Sequence, residues 1–131
     1  MQIKPKLILV FCLLVQACST TTSSPTPEIV ETRPVRLTDK QINSVHSSVR
    51  NSLEDSKSAR FGQQSATYSS KSGTAVCGMV STQNSAGEST GEIPYLAVIS
   101  ESGTVNVMSM GKDETTTGIT LRACNDLGIV L

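Results

Sequence analysis

The chain has 131 residues, with 11 Lys and Arg against 11 Asp and Glu and a formal net charge of zero. It carries no basic run or patch, which argues against nucleic acid as a partner. Two Phe, two Tyr and no Trp allow one modest core. No phosphate-loop or dinucleotide fingerprint is present, so no cofactor is indicated.

Lys4 and Lys6 make a short basic start, and Leu7 to Val15 is an unbroken apolar run. That run is too short to span a bilayer, which takes about 20 helical residues, but it fits the apolar centre of a secretory signal peptide. It closes on Leu14-Val15-Gln16-Ala17-Cys18, which resembles the lipobox of bacterial lipoproteins. An aliphatic residue stands at −3, a small residue at −1, and then the cysteine that becomes acylated; Gln16 is a less usual occupant of −2. The resemblance implies cleavage before Cys18 and lipid on it. Removal of Lys4 and Lys6 leaves acidic residues in slight excess, so membrane attachment rests on acyl chains. Each buried CH₂ contributes roughly 0.8 kcal/mol, and several chains anchor stably where one does not. Lipoproteins kept at the inner membrane typically carry Asp after the cysteine. Ser19 therefore implies the outer membrane, facing the periplasm.

Cys12 leaves with the signal and Cys18 carries lipid, so Cys77 and Cys124 remain. An oxidising, exported compartment favours their pairing. The bond would close a loop of about 46 residues, which the chain-entropy account values at roughly 4 kcal/mol. The other reading is a reactive thiol or a metal ligand. Against it, no Cys-x-x-Cys is present and two cysteines with one histidine do not make a zinc set.

Residues 18–36 read as a tether, rich in Ser and Thr and broken by Pro25, Pro27 and Pro34. Such a segment buries too little apolar surface to offset its ordering entropy. Thr38-Asp39-Lys40-Gln41 is a capping box, flanked by a Leu37–Ile42 staple. Ile42, Val45, Val49 and Leu53 follow at helical spacing and fade by Asp55 to Ser58. Ala66 to Ser70 is a weak strand, ended by a turn at Lys71-Ser72-Gly73. Thr74 to Thr82 is a stronger one, with Val76, Gly78 and Val80 on one face and Cys77 and Met79 on the other.

Tyr95 to Ser100 reads as a buried strand. Ser102-Gly103 then turns tightly into Thr104 to Met110. Val105 and Val107 should face one way there, and Asn106, Met108 and Met110 the other. A last helix is capped by Asp113, draws apolar positions from Ile119, Leu121, Ala123, Cys124 and Leu127, and stops at Gly128. The expected fold is α+β: an N-terminal helix, an antiparallel sheet of about four strands, a C-terminal helix and one disulfide. The divisions are a signal peptide over 1–17, a lipidated tether over 18–36 and the domain over 37–131.

Gln83 to Pro94 is long for a hairpin connection in so small a domain, and long loops are disproportionately functional. Asn84, Ser85, Gly87, Glu88, Gly91 and Glu92, with Tyr95 at its end, are the candidate binding residues. His46 sits at the edge of the first helix's apolar stripe, as an ordinary half-buried residue does. A nucleophile pair of Cys77 and His46 would need a free thiol and two distant segments in contact. No Gly-x-Ser-x-Gly elbow singles out a serine. The carboxylates lie where solvated charge is usual.

From Val49 to Leu131 the chain resembles a family of small exported proteobacterial proteins of unknown function. The shared pattern runs through Ser58-Ala59, Phe61, Val76-Cys77-Gly78, Val80, Asn84-Ser85, Gly87, Gly91 and Pro94-Tyr95. It ends with Cys124 ahead of Leu127-Gly128-Ile129. The resemblance implies that the two cysteines are a structural pair and brings no activity with it. Ser56 stands where the family often has proline, and Ala86 and Glu88 where larger or aromatic residues are common.

The sequence thus points to a lipid-anchored envelope domain that acts by binding, as an interaction or accessory module with a protein partner, and not to an enzyme. Two other functions compete. One is an inhibitor of a cell-wall hydrolase, its loop plugging the active site with Glu88 or Glu92. The other is a thiol-dependent enzyme using Cys77.

Overall fold

The cap at Thr38 forms as its residue types dictate. Its hydroxyl accepts the backbone N–H of Gln41, and the Gln41 side chain accepts the N–H of Thr38. This box opens helix α1 (Asp39–Asn51). The computed structural model describes residues 29–131; the signal-peptide, lipobox and Cys18 assignments lie outside the described residues. The remaining elements are strands β1 (Thr32–Val35), β2 (Arg60–Ser69), β3 (Gly73–Gln83), β4 (Ser89–Ile99) and β5 (Val105–Met110), and helix α2 (Glu114–Asp126). The sheet has five strands in the order β1-β2-β3-β4-β5, every neighbouring pair antiparallel.

Strand alternation sorts the core onto two faces. Val76 opposes Ala97, Gly78 opposes Tyr95 and Val80 opposes Ile93 on one face. There the buried Val45 and Val49 of α1 pack among Ala66, Val76, Val80, Tyr95, Ala97, Ile99 and Met110. On the other face Cys77 opposes Leu96, and Ala75, Cys77 and Leu96 pack against Cys124 and Ile129. Both helices lie over β4 and β5, on opposite sides.

α2 opens on Asp113, whose side chain accepts the N–H of Thr116 at 2.7 Å. That backbone bond, first, holds the Asp113 carboxyl below the usual range. The helix ends in a Schellman arrangement. Gly128 takes φ +75°, and the N–H groups of Gly128 and Ile129 donate to the carbonyls of Asn125 and Cys124. Ile129 is thereby turned back into the core beside Cys124.

Four expectations need correction. The sheet has five strands and not four, because Thr32–Val35, inside the expected tether, pairs with β2. Pro34 is tolerated there because an edge strand needs no donor on its outer side. β2 starts at Arg60, well before Ala66; a bulge between Phe61 and Gln64 and a polar run hide its alternation. A further bulge between Leu96 and Ala97 on the β4–β5 ladder makes Met108 the extra residue. Met110 therefore turns to the same face as Val105 and Val107, while Met108 is 63 % exposed.

The fourth correction concerns α2, where Ile119 and Leu121 are exposed and the fully buried position is Thr120. The Thr120 hydroxyl bonds the Thr116 carbonyl at 2.8 Å and the Ser109 hydroxyl. These partners are what make a polar buried position tolerable.

Candidate functional site

β3 and β4 run on through most of the supposed loop, so Gln83 to Pro94 is not a long irregular connection. The turn is Asn84 to Glu88. It braces itself: the Asn84 N–H donates to the Glu88 carbonyl at 2.8 Å, and the Gly87 N–H to the Asn84 carbonyl at 2.9 Å. The Asn84 side-chain oxygen accepts the N–H groups of Ala86 and Glu88, each at 3.0 Å. Gly87, at φ +81°, supplies the left-handed residue that closes the turn. The Asn84 amide also donates to the Glu88 carboxylate at 3.3 Å. Asn84, Ser85, Gly87 and Glu88 thus share one exposed tip. Gly91 and Glu92, also exposed, lie down the strand, beside the bulge between Ser81 and Gln83.

Tyr95 does not belong with them. It is 0 % exposed in the middle of the sheet, about 20 Å from the tip at the usual strand rise. An apolar run this long, crossed by two sheet neighbours, buries its aromatic. Gly78 opposite makes the room, since a Cβ there would fall 2.4 Å from the Tyr95 hydroxyl. That hydroxyl donates to the Gln64 side-chain oxygen at 3.0 Å, and His46 Nε2 meets the same oxygen at 3.1 Å.

The His46 ring stacks on Phe61 at 3.7 Å, Arg50 lies 5.0 Å from the Phe61 ring centre, and Tyr95 meets Phe61 edge-on. Burial pushes the Tyr95 phenol up to about 12. Burial, chiefly, lowers His46; the Gln64 bond raises it and Arg50 lowers it further. The group is a latch holding α1 to the sheet. His46 is half-buried, as the helix pattern implies.

The thiol reading fails on two counts. Cys77 and Cys124 form a disulfide, S–S 2.06 Å and Cα–Cα 6.0 Å. The pair also packs on the α2 face, whereas His46 sits on α1 across the sheet. No nucleophile pair can form through it.

The hairpin base holds a cleft of about 350 Å³ between the segment after α1 and strands β3 and β4. Leu53 and Ile93 supply its apolar lining, and Glu54, Asp55, Asn84 and Lys112 its polar rim. The Ser58 hydroxyl ties the two walls together by accepting the N–H of Gln83 at 2.9 Å. The Thr82 and Thr90 hydroxyls, 2.8 Å apart, close the ladder beneath the tip. Asp55 is held below the ordinary carboxyl range, first by its side-chain bond to Ser58 and then by the backbone of Ser58 and Lys57.

The cleft thus sets an apolar lining beside a charged and polar rim. Sequence reasoning finds Asn84 but misses Leu53, Ile93 and Lys112. Leu53 and Ile93 carry a signal, as the end of a helix stripe and the residue two before Tyr95. Lys112 carries none.

Among the described residues no group of three or more His, Cys, Asp or Glu is placed to hold a metal ion, and no helix is long and apolar enough to cross a membrane. No family model matches the chain, and no curated protein or solved structure matches it.

Proposed function

We propose that this chain is a lipid-anchored domain of the outer membrane, facing the periplasm, that acts as a binding or accessory module of the envelope and not as an enzyme. The observation that carries the binding role is the cleft at the base of the β3–β4 hairpin. There two half-buried apolar side chains, Leu53 and Ile93, border a polar rim beneath a self-braced tip. A recognition surface combines such features: an apolar anchor point, surrounding groups that fix orientation, and a backbone that is already ordered. The anchor rests on the lipobox-like Leu14 to Cys18 and the run before it. The stretch after Cys18 then gives reach from the bilayer, and it ends before Glu31, which already bonds Ser70 ahead of β1.

Crosslinking in intact envelopes, followed by purification of the chain, tests both parts. Glu54→Ala with Lys112→Ala, on the exposed rim of the cleft, should abolish the captured partner while far-ultraviolet dichroism stays unchanged, and Cys18→Ala should move the chain out of the membrane fraction. Capture that survives the double substitution would remove the cleft from the proposal. A second reading, inhibition of a cell-wall hydrolase, draws on the exposed, rigid tip that carries Glu88. In that case Glu88→Ala, and not the cleft variant, would release the partner.

A further inference from the structure

The two edges of the sheet are built differently. β1 is short and carries Arg33 and Pro34, both devices that discourage edge pairing. β5 is the other edge, and Val105 to Met110 contains neither a charge nor a proline. We infer that β5 is a self-association edge, through which two copies of this chain pair antiparallel about a two-fold axis at Asn106.

The backbone sets the axis. The Ser100 N–H donates to the Thr104 carbonyl, so Thr104 directs its backbone groups toward β4. Alternation then directs Asn106 inward too and leaves Val105 and Val107 aimed outward. Neither has a hydrogen-bond partner on that side among the described residues. An isologous antiparallel contact must use the same patch on both copies. Centred on Asn106, it sets Val105 of each copy against Val107 of the other and makes roughly four backbone hydrogen bonds, two per closely bonded pair.

The segment reads the same from both ends, Val-Asn-Val, so each face of the joint matches itself. Asn106, exposed in the single chain, meets its own copy in the pair class where side chains come closest. Opposite charges flank the strand, Glu101 before it and Lys112 after it. An antiparallel partner brings the Glu101 end of one copy to the Lys112 end of the other. The bulge at Met108 confines regular pairing to the stretch before it.

The layers above and below also fit. α1 and α2 each lie over β4 and β5, and strands stand 4.7–4.9 Å apart. Across such an axis the two-fold carries each helix toward its copy on the same face of the joined sheet. The α1 wall beside β5 is an open groove lined by Lys40, Asn43, Ser44 and Ser47 with Gly103 and Val105; only the flexible Lys40 among them is long.

The test is sedimentation velocity on the full chain in detergent, with cysteine crosslinking in cells. The unaltered chain should form a dimer. Asn106→Asp, which sets two carboxylates face to face, should weaken it by up to about fivefold without changing the fold. Asn106→Cys should yield a disulfide-linked dimer, because Cα atoms in that pair class lie about 4.5 Å apart, whereas Thr32→Cys on the opposite edge should not. A chain that is monomeric at every concentration overturns the inference, as does a dimer that Asn106→Asp leaves unchanged.

Discussion

On the α1 side of the sheet, Val45 and Val49 are wholly buried against seven other core residues, among them Tyr95 and Ile99. On the α2 side the matching layer is Ala75, Leu96 and Ile129 around two cysteines, and the helix contributes Thr120 and Cys124 as its buried positions. The first face is held by apolar area and by the Tyr95–Gln64–His46 latch. The second buries little apolar bulk and is held by a covalent link. A domain with so few aromatics closes both faces this way: the helix that can offer an apolar stripe packs, and the one that cannot is stapled.

The largest expected effect tests the stapled side. Cys77→Ala with Cys124→Ala removes a link between positions 47 apart, a loss of roughly 4 kcal/mol on the chain-entropy account. For a domain of this size that lowers Tm by roughly 15–30 °C. Amide exchange should accelerate first in α2, with α1 protected longer. Equal acceleration in both helices would mean that the two faces share one mode of stabilisation.

The packed side is tested by Gly78→Ala. Replacing glycine inside a strand usually gains a little, because alanine loses less backbone entropy. Here the new Cβ would lie 2.4–2.9 Å from three atoms of Tyr95, a ring with no exposure and nowhere to go. Overpacking of about 1–3 kcal/mol outweighs the gain, so the urea midpoint should fall and the near-ultraviolet signal of Tyr95 change. A neutral or stabilising result would show that the ring can shift and that the α1 face is softer than its burial implies.

The same two faces explain what the sequence makes legible. α1 is readable because its cap and stripe are local, with Thr38, Gln41, Val45 and Val49 all within three turns. The alternation of Val76, Cys77 and Val80 gives the faces of β3 correctly. What escapes reading depends on partners far along the chain. β1 is a strand only because β2 offers it an edge, and its proline argues the other way. Tyr95 looks like a loop end because Gln83 to Pro94 is rich in Ser, Gly and Glu, yet register with β3 draws that stretch into the sheet. Met110 changes face through a single bulge that no periodicity announces. In α2, Ile119 and Leu121 outrank Thr120 in hydropathy, and the disulfide and the Ser109 contact override them. Of the candidate site, Asn84 and the tip are legible; the cleft is not, since Leu53, Ile93 and Lys112 meet only in three dimensions.

The smallest effect separates the faces by pH. His46 is held below its ordinary 6.5, chiefly by burial, so its folded pKa lies under the unfolded one. The neutral ring's contribution is then fully present above 6.5 and is lost as pH falls through 6.5 toward the folded value. The groups facing it are Gln64, Phe61 and Arg50, with Tyr95 beyond; the Tyr95 phenol, at about 12, does not titrate in this range. Asp55 and Asp113 also lose stabilising contacts in acid. Both sit below 3.8, so their losses begin only as pH falls toward that value. Between pH 7.5 and 5 the decline in urea midpoint should therefore belong to His46 and be reduced in His46→Gln. It should also appear at the α1–sheet contact, because the disulfide on the other face does not titrate. Exchange that quickened equally in α2 across that window would show the latch to be coupled through the sheet, and the two faces would then respond as one.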